Sequence, residues 1–170
     1  MEEKYNNLKI AERGARISIL AYIVLAALKL GVGYLSSSKG LTADGLNNTT
    51  DIVSSLAVLI GLKISRKPAD DDHLYGHFRA ETIASLIASL IMIVVGLDVL
   101  YNAAHSIIFF KAQVPDLKAA IVGIVCAVAI YFVYRYNKKI AIRINSSGLM
   151  AAAKDNLSDA WVGIRSEERR

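Results

Sequence analysis

The chain has 170 residues, 54% of them apolar or aromatic, and a formal net charge of +5, with a mean hydropathy of +0.40. Its charges cluster at the ends of long apolar runs, which excludes an ordinary water-soluble domain and indicates a polytopic membrane protein with one domain over 1–170. The same placement excludes a phosphate-binding face and hence a nucleic-acid partner, and the single Cys126 excludes a disulfide framework.

The opening residues, through Arg16, are charged and polar, with no apolar stretch before a small-residue cleavage site, so no removable signal peptide is expected. The first apolar run predicts a helix over about 13–35, followed by a polar turn at 36–40. The second, about 41–64, is unusual because Asp44, Asn47, Asn48 and Asp51 occupy its first half. Residues 65–79 hold Pro68, three aspartates, two histidines and Gly76, the composition of a loop. The third run, about 80–110, is long enough to cross a bilayer with tilt. Pro115 opens the fourth, about 115–136, at the first turn, where its missing N–H costs little. A fifth and weaker segment, about 145–164, contains Lys154, Asp155 and Asp159 on a background of Ala151, Ala152, Ala153, Leu157 and Ala160. The expected fold is therefore all-α, a transmembrane bundle of five helices.

Lysine and arginine counts in the short flanks set the expected orientation. Lys4, Lys9, Arg13 and Arg16 precede the first run, Lys63, Arg66, Lys67 and Arg79 lie between runs two and three, and Arg135, Lys138, Lys139 and Arg143 between four and five. The alternate connections hold only Lys39, and Lys111 with Lys118. This asymmetry predicts a multi-pass protein of the cytoplasmic membrane with its N-terminus in the cytoplasm. The last run stops at Ile164 and gives way to Arg165, Glu167, Glu168, Arg169 and Arg170, where a spanning helix still needs apolar residues. A C-terminally incomplete fifth helix is expected on that ground.

Polar groups inside a spanning helix are costly unless they face a cavity or a partner. Asn47 and Asp51 stand i, i+4 on one face of the second helix, and Asp155 and Asp159 repeat that spacing on the fifth. Facing each other, the pairs supply four oxygen ligands, a set that suits hard divalent cations such as Mn²⁺, whereas zinc sites usually recruit His or Cys. The plainer readings are helix caps for Asp44, Asn47 and Asp51, with Thr42 a further cap, and ion pairs of Asp155 with Lys154 or Arg143 and of Asp159 with Arg165. Capping accounts for Asp44 but not for Asp51, about ten residues into the run. In the loop, Asp70, His73 and His77 make either a peripheral cation site or a solvated acidic turn. Asp98 and His105 suit a helix–helix hydrogen bond better than a proton-handling pair. No nucleophile–base arrangement or phosphate loop argues for an enzyme, and no prosthetic group is expected.

At these residues the sequence resembles the cation diffusion facilitator family of proton-coupled divalent-metal exporters. The resemblance rests on Leu41-Thr-Ala-Asp-Gly-Leu-Asn-Asn-Thr-Thr-Asp51, on Pro68-Ala-Asp-Asp-Asp-His-Leu-Tyr-Gly-His-Phe-Arg-Ala-Glu81, and on Asp155-Asn-Leu-Ser-Asp159. Zinc-carrying members typically show Asp-x-x-x-Asp and His-x-x-x-Asp where this chain has Asn47-x-x-x-Asp51 and Asp155-x-x-x-Asp159, a departure that looks like the manganese branch. The resemblance implies Mn²⁺/proton antiport through Asn47, Asp51, Asp155 and Asp159. It also implies a second metal site at Asp70, His73 and His77, a homodimer in the intact protein, and a sixth helix and cytoplasmic domain that this chain lacks. The alternatives are zinc or iron(II) as cargo, and a non-transporting membrane fragment.

Overall fold

Apolar runs joined by short polar turns produce five helices in the computed structural model, which describes residues 2–36, 38–108 and 117–168. They are α1 (Glu2–Leu35), α2 (Lys39–Ser65), α3 (Arg79–Ile108), α4 (Leu117–Ile144) and α5 (Ser147–Glu168). Among the described residues there is no strand. Pro115 and the rest of 109–116, expected to carry the end of the third helix and the start of the fourth, lie outside the described residues, as do 169–170.

Three helices outrun the bounds expected from hydropathy, the fifth only at its end, where it reaches Glu168 rather than about 164. The first begins at Glu2 rather than about residue 13, because Leu8, Ala11 and Ala15 continue a helical stripe and are buried against Leu62, Ala141, Leu149 and Ala152. The fourth runs to Ile144 rather than about 136, since Asn137, Ile140, Ala141 and Ile144 share one inner face while Arg135, Lys138, Lys139 and Arg143 project outward. With 34 residues, α1 is about 51 Å long, well beyond a hydrocarbon core of about 30 Å.

Each helix packs on its neighbours in the order α1, α2, α3, α5, α4 and back to α1, and α5 touches all four others. The outer helices α1, α3 and α4 are long and apolar enough to cross a membrane, over Glu3–Leu35, Arg79–Asn102 and Ala120–Ile144. On α3 the side chains of Leu86, Leu90, Ile93, Val94, Leu97 and Leu100 are all more than half exposed. Such a continuous apolar band is a lipid-facing surface. By the same measure α2 has the length of a span but not the apolarity, because its inner face carries Asp44, Asn48, Asp51, Ser54 and Ser55. The inner helix α5 is Ala-rich where it is crowded: Ala151, Ala152, Ala153 and Ala160 are buried.

Small residues let α1 and α2 approach closely. A Cβ on Gly33 would stand 2.6 Å from Thr42 Oγ1, and one on Gly45 3.1 Å from the backbone nitrogen of Leu30. This contact brings the middle of α1 across the polar face of α2.

Candidate functional site

The α2 N-cap is Ser38, whose hydroxyl accepts from the Leu41 amide at 3.3 Å. Asp44, Asn47 and Asp51 are therefore interior to the helix, and the capping reading of them is corrected. At the other end of the site, α5 is set by two interlocking devices. Asn145, at φ +51°, ends α4 in the left-handed region, and Ser146 N donates to Ala141 O at 3.0 Å. The Ser146 hydroxyl then accepts from Leu149 N at 3.2 Å and donates to Glu81 Oε1 at 2.5 Å, while Gly148 N donates to the same oxygen at 3.1 Å. Glu81, on the first turn of α3, thus fixes where α5 starts and which of its faces turns inward.

Placed this way, α2 and α5 bring Asp51, Asp155 and Asp159 together, with one carboxylate oxygen of each within 4.8 Å of the others. Ligand oxygens of an octahedral ion at about 2.1 Å stand roughly 3.0 Å apart when adjacent and about 4.2 Å apart when opposite. The three carboxylates are thus within a small adjustment of sharing a cation. Asp51 and Asp155 are buried, and each leaves one carboxylate oxygen, Oδ2, without a hydrogen-bond donor. Such atoms are expensive in a dry interior and are satisfied by a cation or a proton. Asn47 lies on the wall of the same cavity, of about 110 Å³, together with the three aspartates and Asp44. Among the described residues no ion pair involves Asp155, so the pairing with Lys154 or Arg143 does not form. The side chain of Arg165, the other expected partner, falls outside the described residues.

Of three further residues around this cluster, Tyr22 and Lys29 were not read from the sequence, and Asn48 was noted there only as a polar residue of the second run. Tyr22, fully buried on α1, donates its hydroxyl to Asp159. Lys29, also on α1 and 4% exposed, places Nζ 2.8 Å from Asp44 Oδ2 and 3.4 Å from Asn48 Oδ1. Asn48 is itself buried beside the cavity. Lys29 interrupts the first apolar run, and the cost of an ammonium in a spanning helix is the signal that marks it.

The cavity has a direction. It extends from the carboxylates past Asp44, Val99 and Val162, while on the other side Val58, Leu62, Ala88, Leu149 and Ala152 close into an apolar cluster.

In the loop between α2 and α3 the structure gathers the other predicted group. Asp70 Oδ1 lies 3.1 Å from His73 Nδ1, Asp70 Oδ2 lies 3.6 Å from His77 Nε2, and the two imidazole rings are 4.4 Å apart. Slight desolvation would raise the Asp70 carboxyl, but hydrogen bonds from the His73 ring and amide, with His77 nearby, hold it below the ordinary aspartate range. His73 and Asp70 are exposed, so this set can take an ion from solvent without any opening of the bundle. On α3, Asp98 accepts from Asn102 Nδ2 at 2.9 Å, and the His105 ring stands 6.2 Å from that of Tyr101.

Residues 15–164 match the family model described as the cation efflux transmembrane domain. The chain belongs to the cation efflux family. Among curated members it is similar to three proteins of Bacillus subtilis (strain 168). The manganese efflux system protein MneS is 60% identical over 162 residues, 95% of this chain and 56% of MneS. The transporter YdbO is 54% identical over 160 residues, 94% of this chain and 55% of YdbO. The manganese efflux system protein MneP is 34% identical over 163 residues, 92% of this chain and 54% of MneP. The chain therefore spans about half the length of the curated cation efflux relatives it matches.

Proposed function

We propose that this chain is the membrane core of a Mn²⁺ exporter, with Asn47, Asp51, Asp155 and Asp159 as the ligands of the transported ion. The observation that carries the reading is the buried cluster of three carboxylates, within 4.8 Å of one another, two of which hold an unpartnered oxygen. Its chemistry is all oxygen, which favours a hard cation, and two of the similar proteins are named for manganese efflux. Carboxylates must shed protons to bind metal, so Mn²⁺ entering from the cytoplasm displaces protons from Asp51, Asp155 and Asp159 and leaves as protons return. Asn47 adds a neutral oxygen and keeps the ligand charge at three. The basic flanks orient the N-terminus to the cytoplasm in the cell membrane. Asp70, His73 and His77 serve as a second, solvent-facing metal site, and the intact protein works as a homodimer.

The test is Mn²⁺ titration of the purified chain in phosphatidylcholine nanodiscs, beside Asp51→Ala and Asp155→His. The chain should bind Mn²⁺, Asp51→Ala should lose at least about a hundredfold in affinity, and Asp155→His should gain zinc at the expense of manganese. Equal Mn²⁺ binding by the chain and Asp51→Ala, or none by the chain itself, overturns the reading.

A further inference from the structure

A lysine in the middle of an otherwise apolar outer helix is costly unless its charge is used. Lys29 is 4% exposed, and its ammonium is committed to α2, at 2.8 Å from Asp44 and 3.4 Å from Asn48. These partners lie seven and three residues before Asp51 on the same helix, and both also form part of the cavity wall. Lys29 itself stands behind that wall. It therefore acts on the cavity through its field and through Asp44 rather than as a ligand.

Resting on the Mn²⁺ reading above, we infer that Lys29 is a tethered counter-cation that lowers the affinity of the carboxylate site for a divalent ion and so sets its release. Three carboxylates with Asp44 beside them place four negative charges around a small cavity. Affinity for hard divalent cations rises with the count of charged ligands, and an exporter that held its cargo at full strength would stall. Lys29 offsets one of the four charges without occupying a coordination position. Asp44 has the complementary part, since it holds the ammonium at the wall and leaves the ligand oxygens of the trio free for the cargo. Asp44 lines the cavity on the side away from the apolar cluster, so on the orientation proposed above the pair borders its outer side.

A merely structural clamp between α1 and α2 gives a different result from a charge that tunes affinity, and Mn²⁺ titration in phosphatidylcholine nanodiscs separates them. Lys29→Met should tighten Mn²⁺ binding by about tenfold, and Asp44→Asn, which leaves the ammonium unopposed, should weaken it by about tenfold. The double variant should return to within about threefold of the parent, and Lys29→Arg, which keeps the charge, should stay near it. If Lys29→Met alone does not fold, the step from Asp44→Asn to the double variant carries the test, and it should tighten binding by the same factor. Shifts of the same sign in the two single variants, or no change between Asp44→Asn and the double variant, overturn the inference while leaving the ligand assignment standing. Absence of Mn²⁺ binding in the parent overturns the ligand assignment and this inference together.

Discussion

Glu81 joins the first turn of α3 to the first turn of α5 and is the group on which the orientation of Asp155 and Asp159 depends. Its Oε1 receives the Ser146 hydroxyl at 2.5 Å and the Gly148 amide at 3.1 Å. Hydrogen bonds to a charged acceptor contribute about 1.5–3 kcal/mol each, and Glu81 is only partly buried, so water replaces part of what Glu81→Ala removes. The expected cost is about 3 kcal/mol, or a fall in Tm of about 6–12 °C for a chain of this size. The loss is local to the start of α5. Asp155 and Asp159 lie seven and eleven residues beyond Gly148 on the same helix, so a loosened start lets both carboxylates rotate away from Asp51. Mn²⁺ affinity should therefore fall with stability, by about tenfold. Glu81→Gln keeps an acceptor but not its charge and should show about half of each effect. The assay is thermal unfolding followed by circular dichroism in nanodiscs, paired with Mn²⁺ titration. A Glu81→Ala variant that melts within about 2 °C of the parent and binds Mn²⁺ equally well would refute the reasoning.

Tyr22→Phe removes the donor to Asp159 from a fully buried position and should weaken Mn²⁺ binding by about tenfold while costing about 1–3 kcal/mol of stability; an unchanged Kd in titration would show that Tyr22 does not orient the carboxylate. In the loop, Asp70 is held below the ordinary aspartate range, so its contribution to loop order is present above the unfolded value of about 3.9 and lost as pH falls through the lower folded value. Carbon-13 carboxyl shifts of Asp70 followed against pH should give a midpoint below about 3.9, and a midpoint at or above that value would mean the His73 contacts do not form in solution.

The i, i+4 pairs Asn47/Asp51 and Asp155/Asp159 were legible because an ionised group in an apolar run has so few acceptable explanations. Their spacing also predicts that each pair shares a face, and that is where the structure has them. What could not be read was the crossing that sets one pair against the other, since it depends on the Glu81 lock and on a two-residue turn in which Asn145 adopts a positive φ. Lys29 carried the same signal as the aspartates, but its partner Asp44 becomes a neighbour only through the close contact of Gly33 and Gly45 with the opposite helix. Hydropathy also misjudged where α1 begins and α4 ends. A helix keeps going past the membrane wherever a buried stripe continues, and charged side chains on its other faces do not interrupt it.

The buried face of α1 explains why these separate contacts belong to one device. Glu12 pairs with Arg66 at the end of α2, at 3.2 Å. Ser18 accepts from Asn137 on α4 at 2.7 Å and from Asn156 on α5 at 3.2 Å. Tyr22 donates to Asp159 on α5, and Lys29 holds Asp44 on α2. At successive levels, then, α1 is bonded in turn to the ends and middles of both helices that carry the site. The apolar layer below the carboxylates is built partly from alanines, Ala11, Ala15, Ala88, Ala141 and Ala152, which interlock less than branched side chains and permit small sliding movements. Polar bonds thus tie α1 to its neighbours both beside the carboxylates and at the level of the apolar layer. A change that moves α2 against α5 must then either carry these bonds along or exchange them, and two of them, Tyr22 to Asp159 and Lys29 to Asp44, end on carboxylates that line the cavity.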